Sequence, residues 1–181
     1  MTIKMTDILA EDRKYEYGCV MLYFDFPQMN KIHDAIDPKD IYEDPEDDSF
    51  GLEDEPHVTL LFGLHKEVTD EDVKGILDKF TFKPIKIKEL SFFDNPKYDV
   101  LKFSVDGGGN LGDANEEFKK LPYTSDYPDY HPHMTIAYLK PKTAQKWIDK
   151  LSNQEFTLVP KFAKFSKPSK SSKKFKISVS K

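Results

Sequence analysis

An α+β fold made of two similar halves is what this sequence predicts, on two observations. The order strand, helix, polar loop, strand, helix runs twice along the chain. The second strand of each run opens on the same pattern, Pro56-His57-Val58-Thr59 and, 76 residues later, Pro132-His133-Met134-Thr135. Side chains alternate along a strand, so His57 and Thr59 share one face, as do His133 and Thr135, while Val58, Leu60, Met134 and Ile136 turn the other way into a core. Each half thus offers one imidazole and one hydroxyl. Two lobes related by a pseudo-twofold axis bring these strands face to face across a central cleft.

The elements follow in order. Residues 18–25 read as a strand and 27–36 as a short helix opened by Pro27. A long polar loop, 37–56, contains Pro38, Pro45 and Gly51. Strand 57–62 ends at Gly63. Thr69-Asp70-Glu71-Asp72 is a capping box that starts a helix with the apolar stripe Val73, Ile76, Leu77 and Phe80. Residues 85–92 and 98–105 are strands around Asn95-Pro96. The glycines 107–109 lead to a helix over 111–121 with Leu111, Ala114, Phe118 and Leu121 inward. Loop 122–132, strand 133–139 and a helix over 142–151 repeat the first half, and strands 156–165 and 174–179 close the chain around a Ser/Lys turn.

With 181 residues, 38% of them hydrophobic, the chain suits one bilobal domain over 1–181 with a sizeable core. The longest apolar runs have strand length and the first twenty residues carry no apolar signal segment, so a cytoplasmic protein without membrane contact is expected, a monomer. One cysteine, Cys19, excludes an internal disulfide and a cysteine-rich metal site. Its expected role is packing on a strand.

Charge is unevenly placed. The hairpin 156–181 holds eight lysines and no carboxylate, so the rest of the chain carries about −13 against the −5 of the whole. Eight carboxylates fall in the acidic loop 43–55, which reads as a solvated loop or as a mobile lid that rejects long polyanions. Arg13 is the sole arginine. Guanidinium clamps on phosphate are nearly unavailable, and charge contacts fall to lysine.

Two imidazoles and two hydroxyls facing one space suit acid/base cleavage of a phosphodiester without a metal. The paired His-x-Thr pattern resembles the two-histidine phosphoesterase superfamily, which includes cyclic phosphodiesterases and RNA 2′,5′ ligases, over roughly residues 18 to 165. The resemblance implies a LigT-like fold, two lobes of antiparallel sheet flanked by helices, and no cofactor. It assigns one of His57 and His133 to take the proton of a ribose 2′-hydroxyl and the other to protonate the departing 5′-oxygen, with Thr59 and Thr135 as donors to the non-bridging oxygens. Which histidine plays which part stays open. The stretches 55–65 and 123–139 resemble, more narrowly, the bacteriophage anti-CBASS phosphodiesterases that degrade cyclic oligonucleotide messengers, which implies a cyclic di- or trinucleotide as substrate.

Other side chains are candidates of lesser weight. His131 shares parity with His133 and is expected at the rim, His65 on the surface, and His33 exposed on its helix. A zinc set from His57, His65, His131 and His133 has no carboxylate at ligand spacing and leaves the threonines without a part. Base stacking, about 1–3 kcal/mol per base, has Tyr123, Tyr127 and Tyr130 as candidates on one loop and Phe50 on the other. Trp147 is a further one, although its helix stripe suits the core. Of Phe92 and Phe93, one must leave the core. Two rival functions stand beside the cyclic oligonucleotide reading. One is processing of RNA ends or 2′,3′-cyclic phosphates, disfavoured by a body that repels long polyanions. The other is cyclic nucleotide binding without catalysis, which needs no paired acid and base.

Overall fold

A computed structural model describes residues 17–125, 129–151, 154–169 and 171–180. Within them the order is β1 (Gly18–Asp25), α1 (Met29–Ala35), a 3-10 turn (Pro38–Asp40), β2 (His57–Leu64), α2 (Asp70–Leu77), β3 (Thr81–Phe82), β4 (Ile85–Asp94), β5 (Asp99–Gly108), α3 (Leu111–Phe118), β6 (His133–Leu139), α4 (Ala144–Leu151), β7 (Phe156–Ser166), β8 (Ser172–Phe175) and β9 (Ser178–Val179). The α+β architecture and the doubled order are as the sequence predicts. The expected strand over 174–179 is instead broken at Lys176-Ile177. Its second part pairs in parallel with β3, a strand the sequence reading did not place.

Seven strands form one sheet in the order β2-β1-β7-β4-β5-β6, with β8 added on β7, and every pair in it is antiparallel. The long strand β7 joins the halves. Phe156–Leu158 pair with β4, and the strand then pairs with β1 from Val159 onward. Pro160 sits beside that change of partner, where a missing N–H costs the ladder least. The two His-x-Thr strands are the ends of the path. They meet through folding of the whole sheet and form no ladder with each other.

Alternation places the core as expected. Val58, Leu60, Met134 and Ile136 have no exposed surface, each contributing about 1.5–3 kcal/mol by burial. On α2 the capping box is complete. Thr69 Oγ1 accepts from Asp72 N at 3.1 Å, and the Asp72 carboxylate accepts from Thr69 N at 3.0 Å, a cap worth about 1 kcal/mol.

The helices cross between halves. Helix α1, which follows β1, packs on β6, and α3, which follows β5, packs on β2. His33 on α1 is therefore half-buried rather than exposed, its Nε2 donating to Ile136 O at 2.9 Å. A short polar helix gives no sign of a partner strand about a hundred residues away. Trp147 lies in the core with 7% exposure, its indole N–H donating to the buried Asp40 at 3.0 Å, while Lys146 pairs with the same carboxylate at 2.6 Å. Its assignment to substrate binding is corrected: the ring packs against protein and its polar atom is spent on Asp40.

Candidate active site

The two His-x-Thr segments are equivalent in detail. Met21 pairs with Thr59 and Val20 with Leu61, leaving Leu60 as an extra residue; Lys102 pairs with Thr135 and Leu101 with Ala137, leaving Ile136 extra. Each strand thus carries a bulge one residue after its threonine, where the face of later side chains is reset. The carbonyls of the extra residues are held by the crossed helices, Leu60 O by Asn115 Nδ2 at 2.6 Å and Ile136 O by His33 Nε2 at 2.9 Å. Each half fixes the His-x-Thr strand of the other.

The loops cross in the same way. The backbone of 51–53 pairs with the free edge of β6, through Tyr138 N to Gly51 O at 2.8 Å and Glu53 N to Ile136 O at 2.9 Å. The backbone of 122–124 pairs with the free edge of β2, through Thr124 N to Gly63 O at 2.9 Å and His65 N to Pro122 O at 3.0 Å. Gly63 has φ +108°, and a Cβ there would collide with the Thr124 carbonyl, so this approach needs glycine. The acidic loop is anchored as a sheet edge at 51–53, and the solvated-loop expectation fails there.

The two imidazoles are set alike. His57 Nδ1 bonds to Glu55 O at 2.8 Å and His133 Nδ1 to His131 O at 3.1 Å. A carbonyl oxygen only accepts, so each Nδ1 carries the proton and each Nε2 is the atom left for chemistry. A neutral ring offers a lone pair at Nε2, and a protonated ring offers N–H from the same point. The Tyr23 ring lies 5.1 Å from that of His57, and the Phe93 ring meets His133 edge-on at 5.1 Å.

Electrostatics break the symmetry. Burial holds His133 below the ordinary imidazole value, and the charges of Lys102, His57 and His131 add to the effect. The carboxylates of Glu53 and Glu55 stand on the other side, near His57 and Tyr23. Burial raises Glu53 above its usual value, against the pull of His57.

The remaining candidates fall as follows. His131 is exposed at the rim and serves His133 through its carbonyl. His65 binds Thr124 Oγ1 at 2.8 Å and faces Glu67 at 3.4 Å, a loop contact. Tyr130 donates its hydroxyl to Thr59 O at 2.8 Å, tying the second loop to the first motif, and burial raises its phenol. Tyr123 is half-buried beside the Leu64 bridge and packs on the core. Tyr127 lies outside the described residues. Phe50 packs among Tyr42, Tyr98 and Tyr138, rings 5.1 to 5.2 Å from its own. The β6 bulge turns Tyr138 to the Thr135 face, so this cluster borders the site. Phe93 is the phenylalanine on the cleft face, while Phe92 packs against the core. Cys19 is half-buried on β1 with its thiol pushed up to about 12 by burial, a packing residue.

Sequence reasoning missed Tyr23 and Lys102, and it left the choice between Phe92 and Phe93 open. The alternation of β1 and of β5 against the motif strands was the available signal, but it needs the pairing register to be used. Among the described residues no three His, Cys, Asp or Glu side chains cluster at metal-ligand spacing, and no helix is long and apolar enough to cross a membrane.

Comparison with known proteins agrees with the fold. The family model described as the 2′-5′ RNA ligase superfamily matches residues 28–163, about three quarters of the chain, and includes both motifs. A structure of Kluyveromyces marxianus Usb1 superposes with a TM-score of 0.55 at 12% identity, covering 90% of this chain and 98% of that one. A second structure of that protein, with uridine monophosphate, gives 0.50 at 11% identity, covering 90% and 99%. At these identities the likeness speaks for the fold. No curated protein sequence matches the chain.

Proposed function

The chain belongs to the 2′-5′ RNA ligase superfamily, and from that premise we propose that it is a phosphodiesterase that cleaves 3′,5′-linkages by attack of the neighbouring ribose 2′-hydroxyl, acting on small cyclic oligonucleotides. The observation that carries the reading is the matched pair of imidazoles, each with Nδ1 on a carbonyl and, among the described residues, Nε2 without a hydrogen-bond partner. In-line displacement needs a base on one side of the phosphorus and an acid on the other.

The roles divide by environment. His133, held neutral by burial and the Lys102 charge, takes the 2′-hydroxyl proton at Nε2. His57, with carboxylates for neighbours, donates from Nε2 to the leaving 5′-oxygen. Thr59 and Thr135 donate to the non-bridging oxygens, where negative charge grows. The 2′-oxygen forms its bond to phosphorus as the 5′-oxygen leaves with its proton, giving a 2′,3′-cyclic phosphate end. Water can open that ring with the two imidazoles exchanging roles.

Carboxylates support a small substrate. Glu53 and Glu55 stand beside His57 on an anchored loop, and eight acidic residues in 43–55 oppose a long polyanion at this rim. The biological role we assign, removal of cyclic oligonucleotide immune signals of the anti-CBASS type by a phage-encoded enzyme in its host's cytoplasm, rests on the resemblance of segments 55–65 and 123–139.

The test is incubation with cyclic di- and trinucleotides, a 2′,3′-cyclic mononucleotide and a short RNA in EDTA, resolved by chromatography, for the wild type and for His57→Ala and His133→Ala. Cleavage of the rings is expected, with about 10²-fold or greater loss in each variant. Preference for RNA ends or for the 2′,3′-cyclic compound would move the chain to end processing. Tight binding without cleavage would make it a sequestering protein.

A further inference from the structure

The acid/base scheme uses one buried cation only through its effect on His133 and gives it no contact with the substrate. Lys102 on β5 is the cross-strand neighbour of Thr135 and shares its face. It is 8% exposed. Its Nζ donates to Ser91 Oγ at 2.7 Å and lies 4.5 Å from the centroid of Phe93, whose ring meets His133. Among the described residues no carboxylate pairs with it. The opposite lobe offers a partial counterpart in Lys164, 4.9 Å over Tyr23, but that lysine is two strands from β2, about 10 Å at ordinary strand spacing.

A desolvated ammonium without an anion is costly for a fold, and burial lowers Lys102 from its usual value accordingly. Methionine would fill the same space over Phe93 at no such cost. Packing therefore gives no reason for lysine. An anion brought to the Thr135 side of the cleft does, and with a single arginine in the chain that contact falls to lysine.

We propose that Lys102 is a catalytic residue that binds a non-bridging oxygen of the phosphoryl group undergoing cleavage, beside Thr135, and so completes the phosphate cradle with a full positive charge. This rests on the phosphodiesterase reading above. The contact strengthens as the phosphoryl group gains charge in the transition state. Because it is made to the scissile group itself, it serves every substrate alike, whatever the number of phosphates.

The variant is Lys102→Met, assayed on a cyclic dinucleotide and on a 2′,3′-cyclic mononucleotide. Loss of one charge-assisted hydrogen bond lowers kcat/KM about 10- to 100-fold, equally on both compounds, while the thermal midpoint stays level or rises. Activity within about twofold of wild type on both, or a loss confined to the cyclic dinucleotide, overturns the proposal. So does a marked fall in the midpoint, which would make Lys102 structural. A readout free of turnover is titration with inorganic phosphate, followed through the His133 ring proton by NMR. Phosphate binding weakens about tenfold in Lys102→Met if the proposal holds, and equal binding overturns it. If the wild type cleaves neither compound yet shows this Lys102-dependent phosphate site, the cleavage reading fails and the anion site stands.

Discussion

Replacing Asn115 by Ala tests whether one half of the molecule holds the His-x-Thr strand of the other. Asn115 is 2% exposed, and its amide reaches across from α3 to the carbonyl of Leu60, the extra residue directly after Thr59, at 2.6 Å. Truncation leaves that carbonyl without this donor in a dry interior, at a cost of about 1–3 kcal/mol. Among the described residues the Asn115 Oδ1 has no hydrogen-bond partner, so its removal relieves a desolvated acceptor and sets the net loss near the lower half of that range. For a chain of this size each kcal/mol moves the melting midpoint by about 2–4 °C, so a fall of about 2–8 °C is expected by calorimetry. Asn115→Leu fills the space without restoring the hydrogen bond and should recover only part of it. Because the held carbonyl belongs to the residue directly after Thr59, loosening it displaces the Thr59 hydroxyl, and kcat should fall in both variants more than KM changes. A melting point within about 1 °C of wild type together with unchanged kcat would refute the idea that the Leu60 carbonyl is held from across the molecule.

Further outcomes are expected from the same geometry. Thr59→Ala and Thr135→Ala should each lower kcat by about 10- to 10³-fold with little change in binding, as loss of a transition-state donor does; abolished binding with unchanged turnover of bound substrate would make them simple anchors. With His133 held below the unfolded imidazole value, kcat/KM should keep its base at pH 6.5 and lose it only at lower pH. Stability carries the matching sign: the unfolded chain binds the proton first, so this histidine costs stability as pH falls from about 6.5 through its folded value. Urea midpoints across pH 4.5–7.5 for wild type and His133→Gln should show that slope weakened in the variant, and parallel curves would remove His133 from the assignment.

Much of the fold was legible because local chemistry and tertiary structure agree. The Thr69 capping box and the alternation of 57–60 and 133–136 each need only neighbouring residues, and both stand as read. The crossings were not legible. His33, Asn115 and the two edge-pairing loops act on strands of the other half, and no periodicity reports a partner at that distance. The Leu60 and Ile136 bulges were hidden for a related reason, since an extra residue is visible only against the register of its partner strand. Trp147 shows the converse error. An aromatic on an apolar helix stripe is read better from its stripe than from its ability to stack on a base.

The most direct test of the central claim is a comparison of a ribose cyclic dinucleotide with its 2′-deoxy analogue in EDTA, binding followed by calorimetry and integrity by mass spectrometry. If the 2′-oxygen, deprotonated by His133, is the nucleophile, the ribose ring is opened to a 2′,3′-cyclic phosphate end and the deoxy ring binds but stays intact. Clean hydrolysis of the deoxy compound would mean direct attack by water, and the roles given to His57 and His133 would be contradicted.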